Sequence, residues 1–555
     1  MTTLEPTGTV ATPAAPERRP LAGTGWRDLV RVDDLAGRLA IAGTVALGLG
    51  LAAAWMALQY LAPIDHDSGA ILYFSERWWG GERLYVDLID VNPPLVFILN
   101  LLPVLLAKAT GLGTPAALTT TVFAAILAST WTVWRLLLAR SGAMVADRPG
   151  TLTATFVPIV LLLSLVSVSE LGQREHLMLV LGMPYLTLAA LRLEGVRIGW
   201  TATIAIAVTG AAAFALKPFF LIVPLAVEAF VLVMRRRAAF SDPVPWVMAG
   251  FWALYGAAIV VFFPAFVQDI LPTTFELYSR LGEASPMVAF NRTFLPLEIA
   301  ILAVAGTALL LRLSSVTQVF AIAVIAMAAT TVVQGKGWNH QWAHADMGLV
   351  LLAGAIIAAA VDRFGPRDPG HRRRLGAVTG VAVLMLAFMS TANDEPPWER
   401  MNRFGPGGRL GAQIGLVERE QAQGHKNLSY LALSPGIYPY FPMVSYTGTR
   451  MAMPYMSMWV LQGVYHQCPA SGPLVFNRAE AMSRAERHVF EAVTDGFVRN
   501  KPRLLVVDRV PGMPTCDGQI FDYLAYFLQN PRFAEEFLNY QMLTVFERYI
   551  VYRRR

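Results

Sequence analysis

Eleven apolar runs of membrane-crossing length constrain this chain more than anything else in it. A bilayer core ~30 Å thick takes ~20 apolar residues per helix. Runs of that kind lie near residues 39–62, 115–137, 151–169, 176–193, 198–216, 218–234, 245–264, 294–311, 316–334, 343–361 and 375–391, and 93–110 is a twelfth candidate. In lipid every backbone polar group must be satisfied within its own segment, so these runs predict helices. Only 15% of the 555 residues are charged, against about 25% in soluble domains. The expected fold class is a polytopic α-helical membrane protein with about eleven transmembrane helices. The net charge of +6 is scattered over short loops, as in membrane proteins generally, and no nucleic-acid motif is present. Residues 1–38 are rich in Pro, Thr, Ala and Arg and read as a disordered cytoplasmic tail. They do not read as a cleavable signal, because the first apolar run starts late and is long enough to span.

Arginines set the orientation, since Lys and Arg mark cytoplasmic loops. Arg18, Arg19, Arg27, Arg31 and Arg38 place the N-terminus inside and the loop 63–92 outside. If 93–110 crossed, Arg135, Arg140, Arg148, the triplet Arg235–Arg237 and the cluster Arg363–Arg374 would all fall outside. If it does not cross, all fall inside. The run is therefore expected to be a juxtamembrane or re-entrant hairpin on the outer face, broken by Pro93, Pro94 and Pro103. Loop 63–92, Glu170–His176, Lys217, loop 265–293, Lys336–His344 and everything after Thr391 then share that outer face. Residues 392–555 are richer in charge and have no further run of membrane length. They read as a soluble α/β domain, with strands at Leu428–Leu433 and Arg503–Asp508 and helices at Ala479–Val498 and Phe521–Phe537. Its two cysteines, Cys468 and Cys516, are the only ones in the chain, and an outer compartment would permit a disulfide between them.

The loop Pro63–Asn92 holds six acids (Asp65, Asp67, Glu76, Glu82, Asp87, Asp90) against two arginines. Carboxylates this dense at a bilayer surface point to function. Asp65 and Asp67 follow directly on the first span, and a base that takes a proton from a hydroxyl needs such a carboxylate near its substrate. The competing reading is helix capping by Asp67 ahead of Ser68-Gly69. Glu170, Arg174, Glu175 and His176 stand together between two spans. The planar fork of Arg174 suits a phosphate, and Glu170 or Glu175 is a candidate second acid. Lys217 stands alone in an apolar stretch and must find an anion or snorkel to the surface. In 334–346, Lys336, His340, His344 and Asp346 are polar and Trp338 and Trp342 aromatic. His340 and His344 have zinc-like spacing but no HExxH glutamate, so a phosphate or sugar contact is the better reading. The tryptophans could stack on a sugar or sit in the interfacial belt.

The pattern Asp67 … Gly80-Gly81-Glu82-Arg83-Leu84-Tyr85-Val86-Asp87 … Asn92-Pro93-Pro94 resembles the first outer loop of the GT-C glycosyltransferases. That superfamily includes the protein O-mannosyltransferases and the lipid A aminoarabinose transferase. The sequence is similar in particular to bacterial multi-spanning members of the glycosyltransferase family 39-like group, through GQREH (172–176), LKP (216–218) and GKGW (335–338). The resemblance covers roughly 39–391. It implies inverting transfer of a sugar from a polyprenyl-phosphate donor to a glycan, lipid or protein acceptor outside the bacterial cytoplasmic membrane, with an Asp of the first outer loop as base. By position that is Asp67. The expected site therefore comprises Asp67, Asp65, Glu170 and Glu175 as catalytic acids. Arg174, His176, Lys217, Lys336 and His340 surround the donor phosphate, and Asp87, Asn92 and Trp338 face acceptor or sugar. No metal is required, though two acids could hold a divalent ion. A transporter or lipid flippase is the alternative; it would more often show two similar halves, and no repeat is visible.

Overall fold

A computed structural model describes residues 35–144, 149–166, 170–281, 287, 290, 293–391, 397–405, 407–425, 428–465, 475–510 and 520–555. Most of the expected N-terminal tail, and both Cys468 and Cys516, lie outside the described residues.

Thirteen longer helices dominate the first part of the chain as described: α1 (Leu35–Leu61), α2 (His66–Trp79), α3 (Pro94–Thr110), α4 (Thr114–Met144), α5 (Pro149–Val166), α6 (Arg174–Leu193), α7 (Trp200–Phe214), α8 (Ile222–Arg235), α9 (Pro243–Phe262), α10 (Leu295–Leu311), α11 (Ser315–Gln334), α12 (Ala343–Phe364) and α13 (Pro369–Thr391), with a short helix at Leu271–Glu276 between α9 and α10. Each of the eleven expected spans coincides with one of them. Among the described residues, seven helical segments are long and apolar enough to cross a membrane. Helices α6, α11 and α12 form the centre of the bundle, and α9 lines its edge, where Leu254, Val260 and Phe262 are exposed as a lipid-facing surface requires.

The run 93–110 differs from expectation. It is one continuous helix that runs through Pro103, not a broken hairpin. A single proline removes one donor, and helices in apolar surroundings tolerate that where neighbours pack closely. Asn92, just before α3, meets Arg174, and Thr120 of α4 shares a 2.7 Å hydrogen bond with Tyr60 at the end of α1.

Helix α6 is the axis of the fold. Its N-terminus carries Arg174 and Glu175, and its C-terminus carries Arg192, which pairs with Glu228 of α8 at 2.6 Å and with Asp242, the N-cap of α9, at 2.7 Å. Twenty residues at 1.5 Å each separate the two ends by about 30 Å. Between them α7 approaches closely because Gly210 lies against Tyr185, where an added Cβ would sit 2.8 Å from the tyrosine Cβ. Small residues permit such contacts between membrane helices. Gly210→Ala is expected to cost about 1–3 kcal/mol through overpacking, read as a lower melting temperature in detergent with the candidate site unchanged.

The C-terminal part is an α/β domain with a five-stranded sheet of order β2-β1-β3-β5-β4. β1 (Ser429–Leu433), β2 (Arg450–Met451) and β3 (Leu504–Asp508) run parallel, and β4 (Tyr540–Phe546) and β5 (Tyr549–Arg554) add an antiparallel hairpin. The hairpin was not expected from sequence. The expected helix 521–537 is two short helices, Tyr523–Phe527 and Pro531–Phe537, parted where Asn530 caps a helix that starts with Pro531. The helix expected at 479–498 starts later, at Arg484, where Ser483 supplies the N-cap.

This domain clamps the acidic loop. The Ile64 N–H donates to the Tyr446 hydroxyl at 3.1 Å, the Met451 N–H to the Tyr73 hydroxyl at 2.8 Å, and the Ile89 N–H to the Pro454 carbonyl at 2.8 Å. Pro442 rests on Gly69, where any Cβ would come within 2.9 Å of the proline.

Candidate active site

Asp65 is the N-cap of α2. Its Oδ2 accepts the Asp67 N–H at 2.8 Å and the Gln173 side-chain amide at 2.9 Å. The capping expected of Asp67 thus belongs to Asp65. Asp67 lies one residue inside the helix, so the two side chains do not project together as an extended segment would have them. Burial opposes the charge on Asp65, but His66, with Arg400 and the Asp67 N–H, outweighs it and holds the carboxyl well below the usual range. Asp65→Ala is expected to cost about 1–2 kcal/mol as a lost cap, measurable as a melting shift.

Released from capping, Asp67 faces the site. Its Oδ2 is 3.7 Å from the Arg174 guanidinium and its Oδ1 is 3.9 Å from His66 Nε2. Neither oxygen accepts a hydrogen bond from a described residue, so both keep free lone pairs between two cations. Arg174 also donates to Asn92 Oδ1. Asn92 is fixed by buried Asp90, whose Oδ1 accepts the Asn92 N–H at 2.8 Å and side-chain amide at 2.6 Å, and by Tyr85, whose hydroxyl donates to the Asn92 carbonyl. The loop therefore places the arginine.

Beside Arg174 on α6, Glu175 is fully buried and pairs with Lys217. Lys217 therefore does not snorkel. Lys217, Arg174, Asp67 and His340 all lie within electrostatic reach of one another. The His340 ring packs on Trp338 with centroids 5.6 Å apart, and Trp338 meets Tyr278 edge-on. Glu170 stands close to Asp65, Glu175 and Asp67 with one carboxylate oxygen buried and unpartnered among the described residues. Burial, then the neighbouring carboxylates, push its pKa well up. A carboxyl in that state is an acid, not a base.

Three expected site residues are placed elsewhere. His176 is buried behind the loop, with Nδ1 accepting the Gly172 N–H and Nε2 at the Ser164 carbonyl. Lys336 gives all three of its donors to the Tyr278, Ser279 and Leu281 carbonyls at 2.6–2.9 Å, and burial lowers its pKa to about 8. It holds the turn that carries Tyr278. Asp87 pairs with Arg83 near the surface at 2.9 Å. His344 is likewise engaged by Thr330 at 2.8 Å and does not join His340. Asp65, His66 and Asp67 bring ligand atoms within 4.8 Å of one another. Asp65, however, has both oxygens engaged by His66, Gln173 and the Asp67 backbone, so the trio is an internally bonded cluster and not an open donor set for an ion. Sequence reading counted Asp90 among the six loop acids and Gln173 within GQREH without giving either a role, and it missed His66 and Tyr278. The run Asp65-His66-Asp67 was the signal for His66; Tyr278 carried none.

No family model matches the chain, and no curated protein matches it. Among solved structures it is similar to the crystal structure of ArnT from Cupriavidus metallidurans in the apo state. The TM-score is 0.55 with 14% sequence identity, over 92% of this chain and 98% of that one. The likeness is one of fold: a helical membrane domain followed by a C-terminal α/β domain.

Proposed function

We propose that this chain is an inverting membrane glycosyltransferase that moves a sugar from a polyprenyl-phosphate donor to an acceptor hydroxyl. Asp67 is the general base. The observation that carries the reading is the state of Asp67: held between Arg174 and His66, with lone pairs free. In the reaction, the acceptor oxygen attacks the anomeric carbon and its proton passes to Asp67. The bond from that carbon to the phosphate oxygen breaks and its electron pair leaves with the phosphate. Arg174 and Lys217 stabilise the charge gained by the leaving phosphate, and His340 and Trp338 border the same space. Buried Glu175 compensates these cations while no phosphate is bound. Tyr278, held by Lys336, faces the same cluster. The hydroxyl acceptor lies on a periplasmic or extracellular glycan, lipid or protein, with the N-terminus of the chain in the cytoplasm.

The test is mass spectrometry of envelope lipids and glycans from a strain lacking the protein. The expected result is accumulation of one polyprenyl-phosphate sugar and loss of that sugar from one surface product. Unchanged lipid-linked sugar and unchanged products would remove the transferase reading.

A further inference from the structure

His66 is placed unlike an ordinary surface histidine. Its Nδ1 is 3.1 Å from Asp65 Oδ1 and its Nε2 is 3.9 Å from Asp67 Oδ1. Asp65 is itself immobilised by the Asp67 N–H and by Gln173. The Tyr438 ring of the α/β domain meets the imidazole edge-on at 6.2 Å, and about a third of the side chain remains open to solvent, at 38%. The imidazole is thus gripped by a carboxylate on one nitrogen and by an aromatic wall, and it points its second nitrogen at Asp67. That is the geometry by which an oriented imidazole serves a neighbouring group.

We propose that His66 is a positioning residue for the transfer: as an imidazolium oriented by Asp65, it faces Asp67 Oδ1 while Arg174 faces Oδ2, and so fixes the base toward the acceptor hydroxyl. This rests on the glycosyltransferase reading. The groups facing His66 are Asp65, Asp67, Glu170 and the Tyr438 ring. Burial works against a charged ring, but Asp65 and Asp67 outweigh it and raise the His66 pKa to about 9 from an ordinary 6.5. The sign follows: the cation is complete below pH 6.5 and is lost as pH rises through about 9. The activity that depends on it falls in the same window.

The experiment uses isolated membranes of a strain lacking its own copy, supplied with full-length variants. Transfer from the endogenous lipid-linked donor is followed by mass spectrometry from pH 6.5 to beyond about 9. His66→Gln is expected to lower the initial rate by about tenfold at neutral pH and to remove the alkaline fall, because Gln has no proton to lose. His66→Arg, a permanent cation, is expected to recover part of the rate and to keep it above pH 9. A His66→Gln protein with wild-type rate and unaltered pH profile, alongside an inactive Asp67→Asn, would overturn the positioning role while leaving the transferase intact. An active Asp67→Asn would assign the base to another residue and end the positioning role with it, and membranes of the complemented wild type that transfer no sugar would overturn the transferase itself. If His66→Gln fails to accumulate in the membrane, His66→Arg decides alone. An alkaline fall identical to wild type in that variant assigns the fall to another group and ends the proposal.

Discussion

Asp67→Asn is expected to lower sugar transfer by about 100- to 10,000-fold while leaving the protein folded, since loss of a positioned general base costs that much. Asparagine keeps the shape and one acceptor oxygen but cannot take up a proton. The fold should not notice. Asp67 supplies no helix cap, which is Asp65's work, and its oxygens accept no hydrogen bond from a described residue. The measurement pairs product formation in membranes with a melting curve of the purified variant. An unchanged melting temperature with abolished transfer is the expected outcome. A parallel loss of both would mean that the carboxylate is structural, and undiminished transfer would assign the base to another residue. Asp65→Asn is the natural control, because it retains an acceptor for the cap but weakens the grip on His66. Its effect on rate should be smaller than that of Asp67→Asn.

How much of this was legible in the sequence depends on the kind of signal. Apolar runs of membrane length are one-dimensional, and each of the eleven became a helix because nothing competes with intra-helical hydrogen bonding in lipid. Pro103 misled because proline is a reliable breaker in water but a tolerable defect in a packed apolar helix. The assignment of Asp67 as the helix cap failed by two residues, since caps are decided by which backbone N–H comes within reach. The cations were legible as residue types but not as partners. Lys336 and Lys217 are both lone lysines beside apolar spans. Lys336 turned to three carbonyls 55 to 58 residues upstream, and Lys217 to a carboxylate on α6. Only the tertiary fold distinguishes them. The β4–β5 hairpin was missed because its edge strand exposes Gln541, Met542 and Val545, so it lacks the clean alternation of a half-buried strand.

The Glu175–Lys217 pair gives the second large effect, and its sign separates structure from function. Glu175 is fully buried and Lys217 nearly so. Removing one member of a buried pair leaves an uncompensated charge and costs about 3–5 kcal/mol. Glu175→Gln should therefore lower stability strongly, because Lys217 and Arg174 then face each other with Asp67 as their remaining counter-charge. The double variant Glu175→Gln/Lys217→Met should regain most of that loss, since replacing both members by neutral groups of similar volume is close to neutral. Polyprenyl phosphate, without sugar, then serves as the probe. In Glu175→Gln the lysine is free of its competitor, so added polyprenyl phosphate should raise the melting temperature by more than it does in the wild type. A ligand at about a hundred times its dissociation constant adds about 2.7 kcal/mol, so the shift is readable. In the double variant that shift should vanish although the protein is stable. A double variant that still responds fully to polyprenyl phosphate would take Lys217 out of the donor site and leave the pair a purely structural brace between α6 and the segment preceding α8.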